Sequence, residues 1–169
     1  MEYIIKEINY DNLDFKSLCL KLDEFQNDIV PERASLGFSS LAGLEKLQKI
    51  LLMYDKDKAI ATAALKAIDG TIGEIVRVYT DEEYRGKGLA KILINKIIEF
   101  AKELGYKKLI LDVWEYNLSA RAVYKKLGFV EIPISNVNPE ILKKSFSTAI
   151  DENKLKKING SIIFMEIDI

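Results

Sequence analysis

The stretch "YRGKGLAKILINKI", residues 84–97, sets two glycines and two basic residues at the head of an apolar run of helical period. A helix N-terminus presents unpaired N–H donors and about half a positive charge, enough to hold a phosphate without a lysine. Gly86 and Gly88 remove the Cβ atoms that would keep an anion at a distance, and Arg85 and Lys87 add charge. The plainer reading is a strand-to-helix turn with solvated basic side chains. Two phosphate-binding patterns fail on the text. A Walker loop needs G-x-x-x-x-G-K-S/T, and no Lys-Ser/Thr follows; the dinucleotide pattern G-x-G-x-x-G has Lys91 at its third glycine. A third spacing, R-x-x-G-x-A, is met by Arg85, Gly88 and Ala90. Just upstream, "GEIVRVYT" carries Glu74 and Arg77 inside an apolar strand, where a charge needs a partner or a function. The chain has no histidine, so histidine-assisted triads and histidine metal sites are closed. Proton transfer must fall to carboxylates, Lys, Tyr or Cys.

The elements around these residues follow from periodicity. "YIIKEI" (3–8) reads as a strand, and Phe15, Leu18, Leu22, Phe25 and Ile29 recur at helical steps up to Pro31. Residues 31–40 are turn-rich, and 41–49 read as a short, imperfect helix. Apolar runs at 50–54, 59–68 and 72–79, separated by "DKDK" and by Asp69-Gly70, predict a β-meander. The helix opened by the glycine loop should run to about Leu104, with Ala90, Leu93, Ile97, Ala101 and Leu104 on one face and Gly105 as its stop. A strand at 107–114, a helix at 117–129 and a strand from Phe129 to Ile134 come next. Asn138 and Pro139 open another helix, and a last strand closes at 161–169. Asn159-Gly160 offers a further hairpin turn, so 151–160 reads two ways. The pattern is a mixed α/β domain, not a regular βα alternation.

A length of 169 residues fits one domain, 1–169, and 49% hydrophobic with 30% charged residues sustains a core. A net charge of -1 gives no global field for nucleic acid or an anionic membrane. Cys19, the one cysteine, allows no internal disulfide, fits a reducing compartment and reads as a buried, inert thiol. The opening residues lack a signal-peptide layout, and no apolar run is long enough to span a bilayer. The expected location is cytoplasmic.

Two motifs together resemble a known family. "RGKGLA" after "GEIVRVYTDEEY" is similar to the acyl-CoA loop of the GNAT family of N-acetyltransferases, Q/R-x-x-G-x-G/A. Downstream, "NLSARAVYKKLGF" resembles that family's N-x-x-A-x-x-x-Y-x-x-x-G-F element through Asn117, Ala120, Tyr124, Gly128 and Phe129. The resemblance is strongest over 71–132 and looser outside, and 135–160 is longer than the family's usual final hairpin. It implies a single domain with a largely antiparallel central sheet flanked by helices, splayed between the strands at 72–80 and 108–114.

The resemblance also implies acetyl-CoA as co-substrate, with no metal. Its diphosphate would lie on the backbone of Arg85, Gly86, Lys87, Gly88, Leu89 and Ala90, and its pantetheine arm would pair with the backbone of Val78, Tyr79 and Thr80. Asn117 would contact that arm or simply cap its helix. By the same analogy Tyr124 protonates the departing thiolate and Glu74 takes the proton from the amine. Arg77 pairs with a carboxylate on the protein or on the substrate. Trp114 and Tyr116 are expected to be packing residues. The implied reaction is acetyl transfer to a primary amine of a small molecule by direct attack on the thioester. A protein N-terminus or lysine is the alternative acceptor, and a non-catalytic acyl-CoA-binding module is the alternative outside catalysis. Neither nucleic acid nor membrane is expected as a partner, and the chain is expected as a monomer or homodimer.

Overall fold

The turn chemistry between residues 47 and 80 builds the meander. In the computed structural model, which describes residues 2–146 and 162–169, β2 (Leu47–Asp55), β3 (Lys58–Ala67) and β4 (Ile72–Thr80) run antiparallel, with β1 (Ile4–Glu7) on the outer edge of β2. The β3–β4 turn is held by the Asp69 side chain, whose Oδ1 accepts from the amides of Thr71 (2.7 Å) and Ile72 (2.8 Å). It is this carboxylate acceptor, more than the adjacent glycine, that closes the turn.

The short helix expected over 41–49 does not form. Gly43 takes a left-handed φ of 68°, a single 3-10 turn follows at Leu44–Lys46, and β2 begins at Leu47. Pairing of Leu47 and Lys49 with β3 outweighs a weak helical period there. Residues 31–36 form a 3-10 turn entered through Pro31.

Helix α1 (Leu13–Ile29) is capped by the Asn12 side chain and buries Phe15, Leu18, Cys19 and Leu22. Burial pushes the Cys19 thiol up to about 12, so it stays protonated and inert, as the sequence leads one to expect. Helix α2 (Leu89–Glu103) buries Leu89, Leu93, Ile94, Ile97 and Ala101. Leu104, expected on that stripe, is instead the exposed C-cap, because the helix ends as the chain turns at Gly105. Then come β5 (Lys108–Trp114), α3 (Leu118–Lys126), β6 (Val130–Ile132), α4 (Pro139–Ser145) and β7 (Ile162–Asp168). Residues 151–160, with the Asn159-Gly160 hairpin alternative, lie outside the described residues.

The sheet order is β1-β2-β3-β4-β5-β7-β6. Among the described residues its one parallel pair, β4 with β5, is joined through α2 and registers only over Ile72–Glu74 against Lys108–Ile110. Beyond Glu74 the strands part. A bulge in β4 at Arg77, with φ of 57°, bends that strand along β3, whereas β5 stays paired with β7 along its whole length. The result is a wedge open between the second halves of two neighbouring strands.

Three apolar clusters hold the two faces. On one, α2 and α3 pack on Leu65, Leu109, Leu111 and Met165. On the other, α1 covers Ile50, Leu52 and Ala64, and α4 leads into a cluster of Ile110, Trp114, Phe146 and Phe164. Burying such side chains is the main stabilising term, roughly 1.5–3 kcal/mol for each large one.

Candidate active site

Glu74 is the last residue of β4 that pairs with β5, so its carboxylate sits at the apex of the wedge. It is buried. Its Oε1 accepts a hydrogen bond of 2.6 Å from the Ser145 hydroxyl at the end of α4, and Oε2 has no partner among the described residues. Removal from water raises its pKa to about 8, helped by the like charge of Asp112 and opposed by the Ser145 hydrogen bond. A carboxyl with that affinity for protons is suited to accept one from an amine near neutral pH.

Asp112, two residues beyond Ile110 on β5, lines the same cavity, and its own pKa is raised chiefly by desolvation. Sequence reasoning missed it. The signal was present, a lone carboxylate inside the apolar "LILDVW", of the same kind as the one that marked Glu74.

Tyr124 approaches from the opposite side. It lies on α3 within the core cluster of that face, edge-on to Phe129 with ring centroids 6.1 Å apart, and it is buried. Desolvation, with the nearby Asp112 charge, drives its phenol well above its usual range, so the hydroxyl is held as a proton donor. Because β4 and β5 have parted, side chains from both faces reach one space. Glu74, Asp112, Arg77 and Tyr124 line a single cavity of about 160 Å³, walled also by Trp114, Ser40 and Phe146. A base and an acid brought together from opposite faces can move protons on either side of one reacting centre.

The glycine loop lies where β4 ends. A 3-10 turn at Glu82–Tyr84 leads into Gly86 (φ 78°) and Gly88 (φ 76°), and Gly88 caps α2 with no side chain bonded to the helix end. A Cβ at either glycine would meet nothing within 4 Å, so the left-handed backbone, not crowding by the protein, demands glycine. The space above them is open. Leu89 anchors the first turn in the core, and Ala90 is half-buried beside it. The guanidinium of Arg85 donates to the Thr80 carbonyl (3.1 Å) and lies over the rings of Phe25 (4.4 Å) and Tyr79 (5.7 Å). The Lys87 ammonium sits 4.7 Å from the Tyr84 ring centroid. An uncapped helix start, two open glycines and two basic side chains fit a diphosphate. Val78, in the bulge, has no registered partner on β3, whereas Tyr79 and Thr80 pair with Thr62 and Ala61.

Three expected residues have defined contacts. Arg77 donates from Nε to the Ser40 carbonyl (2.7 Å) and from Nη2 to the Ala42 carbonyl (2.8 Å) while lining the cavity. Asn117 caps α3, its Oδ1 accepting from the Ala120 amide at 3.3 Å. Trp114 packs edge-on to Phe38, and Tyr116 is exposed.

Comparison with known proteins agrees with this geometry. The profile of the Acetyltransferase (GNAT) family matches residues 20–129. N-acetyltransferase 8 from Homo sapiens is 29% identical over 117 residues, which is 67% of this chain and 46% of that protein. The probable glucosamine 6-phosphate N-acetyltransferase 2 from Oryza sativa subsp. japonica is 32% identical over 114 residues, 62% of this chain and 67% of that one. Among solved structures, Rv2747 from Mycobacterium tuberculosis in complex with CoA superposes with a TM-score of 0.70 at 16% identity, covering 98% of this chain and 99% of that one. Its likeness is one of fold. With the family profile spanning the wedge, the glycine loop and α3 alike, the chain belongs to the acetyltransferase (GNAT) family.

Proposed function

We propose that the protein is an acetyl-CoA-dependent N-acetyltransferase that acetylates a primary amine of a small molecule. The observation that carries this is the meeting of Glu74 and Tyr124 in one cavity at the wedge, with the open glycine loop at the end of the same strand. Acetyl-CoA supplies the acetyl group as an activated thioester. In this reading the amides of Gly86 to Ala90 hold the diphosphate, and the freed edge of β4 at Val78–Thr80 guides the arm toward the cavity. Glu74, through its unpartnered Oε2, takes a proton from the ammonium and leaves the nitrogen lone pair free to attack. As the C–S bond breaks, the Tyr124 hydroxyl gives its proton to the departing sulfur, and the phenolate takes up the second proton that the acylated nitrogen sheds. Asn117 caps α3 and so fixes the helix that carries Tyr124.

The CoA found with Rv2747 and the names of the two relatives support acetyl-CoA as the donor. The walls supplied by Ser40, Trp114 and Phe146 favour a small acceptor over a polypeptide. A buried base and a buried acid at one cavity speak against an idle CoA-binding module.

Free-thiol release from acetyl-CoA, measured against a panel of amines, amino acids and peptides, tests the proposal. Release that depends on a small amine is expected. Heat on mixing with CoA but no release with any acceptor would leave only the binding module.

A further inference from the structure

The cavity holds charges that form no ion pair among the described residues. Arg33, Lys46, Lys66 and Arg77 line it together with Glu74 and Asp112. Among the described residues only Arg33 is matched, by Asp23 at 2.7 Å. Lys66 donates to the main-chain carbonyls of Lys144 and Ser145, and Arg77 to those of Ser40 and Ala42. Among the described residues neither forms an ion pair, and neither Glu74 nor Asp112 does so.

Arg77 is held in an unusual way. Its left-handed φ of 57°, strained for a residue with a side chain, is imposed by the bulge, which turns the guanidinium toward the cavity. Two carbonyls clamp Nε and Nη2, and Nη1 has no partner among the described residues. Neutral carbonyls fix the fork without cancelling its charge, which preorganises it for an anion. The half-buried Lys66 and Arg77 and the buried Glu74 thus face one small cavity with no ion pair among the described residues, an arrangement that suits a ligand bearing both complementary charges.

We propose that the acceptor is a primary amine that carries its own anionic group, a carboxylate or a phosphate, which Arg77 seats while Glu74 receives the amine. This rests on the N-acetyltransferase reading and narrows it. With Arg33 neutralised by Asp23, Lys66 and Arg77 stand beside Glu74 and Asp112 in the lining, so a purely cationic amine finds no surplus of negative charge.

The test is thiol release by the wild-type chain with matched acceptors: amino acids against their carboxamides, and amino sugars against their phosphate esters. The anionic member of a pair is expected to have a kcat/KM higher by about tenfold or more, mostly through KM, the range of one charge-assisted hydrogen bond. The pair with the larger ratio identifies carboxylate or phosphate. In Arg77→Gln that ratio should fall toward one. A folded Arg77→Gln that keeps the ratio overturns Arg77 as the seat. Neutral members used as well as anionic ones by the wild type overturn the inference but leave the acetyltransferase standing, and this decides the matter even where Arg77→Gln does not fold. No release with any acceptor removes both.

Discussion

Lys66 and Glu74 stand opposite each other in the β3–β4 ladder, yet the Lys66 ammonium donates to the carbonyls of Lys144 (2.7 Å) and Ser145 (3.2 Å) instead of to the carboxylate. The same end of α4 presents the Ser145 hydroxyl to Glu74. An ion pair would have stabilised the Glu74 carboxylate and lowered its pKa; a single hydroxyl beside a second carboxylate leaves it basic. The end of α4 thus keeps Glu74 fit to accept a proton.

Glu74→Gln should lower kcat/KM by about a hundredfold or more, the usual weight of a general base. In the wild type the rate should rise with pH through about 8 as the carboxyl ionises, and the variant should lose that limb. Stability should move the opposite way. Between the usual 4.5 and about 8 the native carboxyl keeps a proton that the unfolded chain has released, so wild-type stability falls as pH climbs through that window. Thermal melts of Glu74→Gln should show a shallower fall and a higher Tm at the alkaline end. Equal slopes in the two proteins would contradict the assignment.

Ser145→Ala removes the hydrogen bond that holds the Glu74 pKa down. The limb of the pH–rate profile should then shift to higher pH. A limb that stays in place would mean that Ser145 only packs.

Tyr124→Phe keeps the ring in its cluster and removes the proton donor. A kcat loss of about a hundredfold or more is expected, with CoA affinity and Tm close to wild type. Steady-state kinetics beside calorimetry of CoA binding separates the two effects.

Gly88→Ala forces a side chain into a left-handed backbone at φ 76°, at roughly 1–2 kcal/mol. Gly105→Ala meets the same penalty at φ 87°, also with open space around the new Cβ, at the other end of α2. Both should lose similar stability, and only Gly88→Ala should weaken CoA binding. Equal CoA affinity in the two variants would remove the loop from the binding site.

Asn117→Ala should cost about 1 kcal/mol through the lost helix cap. Asn117→Asp keeps a capping oxygen, so its Tm should stay near wild type. A raised KM for acetyl-CoA in that variant would show that the Asn117 amide also touches the cofactor.

Local chemistry was enough to predict much of this protein. Gly86 and Gly88 marked the start of α2, Asn138 with Pro139 marked that of α4, and alternating apolar runs with Asp69 at a turn marked the meander, because each is set by neighbours a few residues away. Glu74 and Tyr124 stood out as candidates through two motifs and the oddity of a charge in an apolar strand, and both line one cavity. Tertiary structure decided what depends on distant partners. Residues 41–49 gave up their helical period where Leu47 and Lys49 pair with β3, and Asp112 came to line one cavity with Glu74 only where β5 continued along β7 while β4 bent away at Arg77. Lys66 turned from Glu74 to α4, nearly eighty residues away in sequence, a choice no local pattern records. Sequence spacing sets what a residue can do with its near neighbours, whereas burial and the identity of facing charges exist only once strands from distant parts of the chain are side by side.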